Sequence, residues 1–376
     1  MGNRARKSRS DATWRRSDLR EGYTTSACAA ASAAAAARVL QSGEPVSEIV
    51  IDLPGKKAVS FSLTCCELER GQVQCGTIKD AGDDPDVTDG AEIRAAVAWQ
   101  DAPGVFITGG EGVGVVTLPG LPVPVGEPAI NPGSRRIITQ AVWAVLGDLL
   151  EERGVRVTIS VVDGEKIAQE TLNPQLGIVG GISILGTTGV VKPFSQSAYR
   201  ASIYFELRVA AHNGVERAIL STGSRSEAYA RLRYPEQGDL GCVQVGDHIG
   251  HGLRQAQRLN FPSVVVSTMV GKASKLAQGR MQTHVSEGYV DFDFLADLVQ
   301  DLGAAEVVVS RIHSANTARH VQMILREAGI AGLEPRLAQM AAEAAFEFVD
   351  GAFTMEVLLY DIGGELLGVG RVERDA

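Results

Sequence analysis

The chain has 376 residues, 45% of them hydrophobic, and a formal net charge of −9. That length provides for two or three domains with sizeable cores. The acidic balance argues against nucleic acid or an anionic membrane surface as the main partner, and no segment is long and apolar enough for a transmembrane helix.

The first twenty residues carry Arg4, Arg6, Lys7, Arg9, Arg15, Arg16 and Arg20 with no apolar stretch behind them. They read as a basic disordered tail (1–20) and not as a secretory signal. Thr24-Thr25-Ser26 then precede strong helix formers over 29–40. The hydroxyls either cap that helix alone or also mark an anion pocket at its amino end. Residues 49–53, 58–63, 72–78 and 93–99 alternate and are rich in β-branched side chains, as in an antiparallel or mixed sheet. Between the last two lies Lys79-Asp80-Ala81-Gly82-Asp83-Asp84-Pro85-Asp86-Val87-Thr88-Asp89-Gly90. Carboxylates this close push one another's pKa upward unless cations or N–H donors intervene. The stretch is either a ligand rim carrying a base or a solvated loop of Asx turns.

Thr108-Gly109-Gly110-Glu111-Gly112-Val113-Gly114 looks like a dinucleotide fingerprint, but no helix follows, so that reading is rejected. Its glycines still allow a ligand or another backbone to approach closely. Ser134 caps an amphipathic helix with Ile137, Ile138, Ala141, Val142, Val145, Leu146 and Leu149 on one face. Arg135 and Arg136 sit in its first turn, against the dipole, which points either to an anionic partner or only to a neighbouring carboxylate. Residues 155–161 and 166–172 read as a strand pair. The glycine-punctuated run 176–193 reads either as cavity-lining backbone fixed by Thr187, Thr188 and Lys192 or as buried strand crossings. A helix after Ser195 stops at His212-Asn213-Gly214.

Beyond it, strands at 217–222, 242–245, 263–268 and 306–310 alternate with helices, implying a parallel sheet covered on both faces. Ligands of such a sheet bind beyond the strands' carboxyl ends, here Thr222-Gly223-Ser224, Gly246-Asp247-His248, Thr268-Met269 and Arg311-Ile312-His313. Residues 354–371 read as a hairpin turning at Gly363-Gly364. The expected fold is thus an α+β N-terminal domain with a mixed sheet (21–214), an α/β C-terminal domain with Rossmann-like alternating strands and helices (215–350), and a C-terminal β-hairpin (351–376). Cys28, Cys65, Cys66, Cys75 and Cys242 show neither disulfide-framework nor C-x-x-C zinc spacing. They read as reduced thiols in a cytoplasmic protein with no metal site of its own, and Cys65, Cys66 and Cys75 as strand packing.

Several blocks together resemble the CbiD family of cobalamin biosynthesis, the cobalt-precorrin-5B C1-methyltransferases. They are Gly22-Tyr23-Thr24-Thr25 with Cys28, the acidic stretch 79–88, the glycine run 109–114, 126–132, Asn173-Pro174 with 176–189, Lys192-Pro193, Gly271-Lys272, Lys275-Leu276-Ala277 and Thr283-His284. The resemblance implies methyl transfer from S-adenosyl-L-methionine to ring carbon C1 of a corrin precursor in the oxygen-independent route, with cobalt present only as part of the substrate. The chain departs from the family pattern at Ser26-Ala27, Thr268-Met269, Gln282 and 290–293. Those departures leave open a divergent paralogue that binds a corrinoid without turnover or acts on a related tetrapyrrole.

Methyl transfer from a sulfonium is an in-line displacement, so positioning dominates and a base assists the carbon nucleophile. The candidate bases are Asp83, Asp84 and Glu111, with His284 and His251 next. An anionic macrocycle needs cations and N–H groups, for which Thr24, Thr25, Arg135, Arg136, Thr187, Thr188, Lys192, Lys272 and Lys275 are the candidates. The methyl donor fits either Asp80 and Asp86 with Gly110, Gly112 and Gly114, or Gly223 and Ser224 at a strand end. The remaining expectations are a small-molecule corrin partner, no nucleic acid and no membrane, with self-association left open. A nicotinamide-dependent oxidoreductase on the C-terminal unit is disfavoured, because no G-x-G-x-x-G lies between strand and helix.

Overall fold

A computed structural model describes residues 19–374. The expected basic tail lies outside the described residues except for Leu19 and Arg20. The chain divides into two compact units between Ser195 and Gln196, with Leu118–Leu121 counted in the second. Among the described residues no helix is long and apolar enough to cross a membrane.

The first unit is built on a five-stranded sheet of β1 (Cys65–Glu69), β2 (Gln72–Ile78), β3 (Glu92–Gln100), β4 (Val105–Gly109) and β5 (Gly154–Val161), in the order β1-β2-β3-β5-β4. All pairs are antiparallel except β5 with β4. Strand alternation sends Val73, Cys75, Ile93, Ala95, Val97, Val155, Val157 and Ile159 into one core. Helix α1 (Thr25–Ser42) lies in that core, and each residue from Thr25 to Ala37 is buried. Alanine suits this place, because it forms helix at no side-chain entropy cost and lets neighbours pack against the backbone itself. Thr24 accepts from Ala27 N at 3.2 Å as the cap, and Gly43 at φ 75° ends the helix. Helix α2 (Pro132–Leu146) covers α1 with Ile137, Ile138, Ala141, Val142 and Leu146. The opposite face of the sheet presents Gln72, Gln74, Arg94, Thr158 and Ser160 around a hollow of about 470 Å³.

The second unit holds a sheet of β6 (Arg217–Ser221), β7 (Cys242–Gln244), β8 (Ser263–Met269), β9 (Thr354–Tyr360) and β10 (Leu366–Val372), in the order β7-β6-β8-β9-β10. The first four strands are parallel and β10 is antiparallel. On one face Leu220, Val243, Val264, Val266 and Val357 pack against α4 (Gln196–His212), α6 (Ile249–Arg258), α7 (Val270–Ala277) and α11 (Leu333–Phe348). On the other, Ile219, Cys242, Val265 and Leu358 meet α5 (Ser224–Arg233) through Ala230. A helical layer of α8 (Phe292–Asp301), α9 (Glu306–His313) and α10 (Ala318–Ala328) packs through Leu295, Val299, Val309, Ile312, Val321 and Leu325.

Four expectations change. Residues 306–310 form α9 and not a strand. The Val307-Val308-Val309 run has high strand propensity, but Val308, Val309 and Ile312 recur at helical spacing and fill the helical layer. The fourth parallel strand is β9: the hairpin expected at 354–371 forms as β9 and β10, but it is an inner strand and an edge of the second sheet and not a separate unit. The strand expected at 166–172 is a one-turn helix, α3 (Gly164–Ala168), because β3 and β4 already occupy both edges of β5. Helix α4, expected in the first domain, buries Ile203, Leu207 and Ala210 in the second unit.

Candidate functional site

In the first unit the acidic stretch closes on its own chain. Arg20 pairs its guanidinium with Asp80 and donates its backbone N–H to Asp83 at 2.7 Å. Asp84 accepts from Phe194 N at 2.9 Å, and Asp89 from Ala81 N at 2.8 Å. Asp86 takes the buried Lys79 ammonium at 2.7 Å and both donors of Thr88. At Asp80 and Asp86 the shift is downward, opposite to the mutual upward push expected of crowded carboxylates. The Arg20 hydrogen bond holds Asp80 below the usual range. Burial pushes Asp86 up, but hydrogen bonds from Lys79 and Thr88 outweigh it and the net shift is downward.

The glycines there serve backbone crossings. A Cβ on Gly112, at φ 74°, would lie 2.0 Å from Val161 O, and one on Gly114 would lie 2.6 Å from Gly181 O. One on Gly110 would meet Thr158 Cγ2 at 3.0 Å. Glycine permits either a ligand or another stretch of chain to approach, and at Gly112 and Gly114 the space is taken by chain. Glu111 remains exposed at the junction of two hollows of about 470 and 570 Å³ that share Gly110, Val161 and Asp163.

The hydroxyls and cations of the first unit divide likewise. The Thr24 side chain caps α1, and Thr25 Oγ1 accepts from Leu185 N at 2.9 Å, while Ser26 N donates to Leu185 O. Those N–H groups therefore face protein. Arg135 donates to Ile107 O at 2.8 Å and Ile130 O at 3.2 Å. Arg136 and Thr187 are exposed and reach the amino end of α2 around Gly133. Thr188 closes a turn onto Val190, and Lys192 is exposed.

In the second unit β6 and β8 are neighbours, yet β6 runs into α5 on one face and β8 into α7 on the other. That divergence is a topological switch point, and open α/β sheets bind ligands in the crevice beyond the carboxyl ends of the strands at such a point. Thr222 and Thr268 bridge it through their hydroxyls at 3.2 Å. Lys272 pins it: its Nζ donates to Thr222 O at 3.0 Å, to Gly246 O at 3.2 Å and to Asp247 Oδ1 at 3.0 Å. Thr283 Oγ1 donates to the same Oδ1 at 2.9 Å, which leaves Asp247 Oδ2 for a ligand. Burial raises the Asp247 pKa, but Lys272 and Thr283 more than offset this and keep it ionised. Lys275, buried, donates to Thr283 O at 2.8 Å, and desolvation lowers its pKa. A Cβ on Gly223 would meet nothing within 4 Å, and α5 begins beside it at Ser224 without a side-chain cap.

Three histidines flank or adjoin this crevice. His284 Nδ1 accepts from Ser286 N at 3.2 Å, so the neutral ring carries its proton on Nε2 and presents a donor. His248 is buried, which lowers its pKa and keeps it neutral, and its Nδ1 lies 3.4 Å from the Gln282 amide. His251 Nε2 is tied to Arg200 O at 2.9 Å. Next to the crevice, Met269, Gly271, Arg319, Met323, Arg326 and Tyr360 line a cavity of about 390 Å³. Asp247 lies in one of the strand ends expected to meet a ligand, although its sequence context assigns it no role of its own; Arg319 and Arg326 on α10 were not expected, and no sequence signal marked them. Among the described residues no group of three or more His, Cys, Asp or Glu is placed to hold a metal ion.

Comparison with known proteins follows this division. Residues 12–193 match the family model described as CbiD, and residues 282–371 match CbiD, C-terminal domain. A curated relative from Geobacillus kaustophilus (strain HTA426) is 47% identical over 350 residues, 93% of this chain and 94% of that protein. One from Rubrobacter xylanophilus is 44% identical over 346 residues, 91% of this chain and 89% of that protein. Both carry the name cobalt-precorrin-5B C(1)-methyltransferase. A 1.9 Å crystal structure of a cobalamin biosynthesis protein (cbiD) from Archaeoglobus fulgidus aligns with 83% of this chain and 85% of that one, at 26% identity and a TM-score of 0.38. Matches of that identity, running through both units almost end to end, mean that this chain belongs to the CbiD family.

Proposed function

We propose that this protein methylates C1 of cobalt-precorrin-5B in cobalamin biosynthesis, with S-adenosyl-L-methionine as donor and the crevice of the second unit as the donor site. The observation that carries the reaction is the 47% identity to a curated C(1)-methyltransferase over 93% of the chain. The donor fits the residues present: the open space at Gly223 and the uncapped amino end of α5 suit its carboxylate, and Asp247 Oδ2 suits a ribose hydroxyl. When bound, it supplies an electrophilic methyl group on a sulfonium.

The chain's own work is positional. Lys272 and Thr283 fix the Asp247 carboxylate, and Lys272, on α7, ties the chain just beyond β6 and β7 together through Thr222 O and Gly246 O. The neighbouring cavity offers Met269, Met323 and Tyr360 to the flat faces of a macrocycle, and Arg319 and Arg326 to its carboxylate fringe. His284 offers an Nε2–H donor beside Asp247. The first-unit strip of Asp80, Asp86, Gly110, Gly112 and Gly114 is the less favoured donor site, because its carboxylates and glycine spaces are occupied by its own chain.

Labelled S-adenosylmethionine and cobalt-precorrin-5B test the reading. Transfer of label to the macrocycle at C1 supports it. Tight binding of both compounds without transfer overturns the catalytic reading in favour of a corrinoid-binding paralogue.

A further inference from the structure

The first unit contains a sulfur pair that the methyl-transfer reading does not use. Cys66 on β1 and Cys75 on β2 are direct cross-strand partners, and their Sγ atoms lie 3.2 Å apart. Antiparallel partners have Cα atoms about 4.5–5.5 Å apart, inside the range of about 4.4–6.8 Å found in disulfides. Closing from 3.2 Å to the roughly 2.0 Å of an S–S bond is a side-chain adjustment. β1 is the edge strand, Cys66 is half-buried and Cys75 is buried. Cys65, one residue earlier, points to the opposite face, near Gly76 and Arg94, and is out of reach of Cys75.

We propose that Cys66 and Cys75 form a reversible cross-strand disulfide, making the β1–β2 edge a redox modification site whose oxidant is a small-molecule disulfide. The Cys66 thiolate attacks one sulfur of glutathione disulfide, forming a mixed disulfide and releasing one glutathione thiolate. Cys75 then gives its proton to that thiolate and attacks the Cys66 sulfur. The Cys66–Cys75 bond forms and the second glutathione leaves as thiolate, taking up the Cys66 proton from solvent. Two protein thiols are oxidised and one glutathione disulfide is reduced to two thiols. Burial, with Cys66 alongside, pushes the Cys75 thiol above its ordinary pKa, so the half-buried Cys66 is the entry point and Cys75 the resolving group.

The test is intact-mass and peptide mapping of the full chain across a series of glutathione redox buffers. The wild type should lose about 2 Da, the mass of two hydrogens, and yield a peptide linking Cys66 to Cys75. Dithiothreitol should restore the original mass. Cys65→Ser should behave as wild type, while Cys66→Ser and Cys75→Ser should show no 2 Da loss. Amide exchange in β1 should slow on oxidation of the wild type. Five free thiols retained by the wild type at the most oxidising poise, or a linkage through Cys65, would overturn the proposal without recourse to any variant.

Discussion

Glu206 on α4 is 6% exposed in the core side of the second unit. Burial, and then the charge of Glu227 on α5, raises its pKa from 4.5 to about 8. The folded state therefore holds this proton over a pH range in which the unfolded chain has released it. Stability falls as pH rises through that window, fully present below about 4.5 and lost by about pH 8. At about 1.4 kcal/mol per pKa unit, the whole shift amounts to roughly 4–5 kcal/mol, an upper bound because the site can relax when charged. Glu206→Gln keeps the shape and a donor but cannot ionise. Urea midpoints at pH 5, 7 and 9 measure the effect. Far-UV circular dichroism follows both units, while the fluorescence of Trp99 and Trp143 follows the first, where both lie. The variant should match wild type at pH 5 and exceed it by several kcal/mol at pH 9, in the dichroism signal. Parallel pH profiles for the two proteins would refute the reasoning.

Asp86→Asn leaves the Lys79 ammonium, 2% exposed, without a carboxylate and should destabilise the first unit by about 3–5 kcal/mol. Lys79→Met with Asp86→Ala should recover more than half of that in urea titrations read by fluorescence. Gly112→Ala forces a Cβ onto Val161 O at positive φ and should prevent a stable first unit. Gly223→Ala, with open space around it, should leave the urea midpoint unchanged and weaken S-adenosylhomocysteine at least about tenfold by calorimetry. Lys272→Met removes all three contacts that pin the crevice and should abolish donor binding in the same titration, with Lys272→Arg failing to rescue it.

The sequence made the local chemistry legible. The alanine run with Thr24-Thr25-Ser26 before it predicts a capped helix, and α1 is that helix, while its end at Gly43 emerges only from the structure. The apolar stripe of α2 holds at five positions, while Val145 is only partly buried and Leu149 is exposed. What sequence spacing could not convey is who the partners are. The aspartates at 80–89 find Arg20 and Phe194, the latter 110 residues from Asp84, and so become a structural knot. The glycines at 112, 114 and 223 look alike as letters, but the first two meet backbone and the third meets open space. Lys272 and Lys275 read as ligand cations, yet carbonyls and Asp247 take their donors. Long-range pairing decides each of these, and a single sequence carries no record of it.

The account turns on where the methyl donor sits. A crystal of the protein with S-adenosylhomocysteine should show the ligand against Gly223 and Ser224, with a ribose hydroxyl on Asp247. Density instead along Gly110 to Gly114 and Glu111 would contradict the assignment of the crevice and return the donor to the first unit.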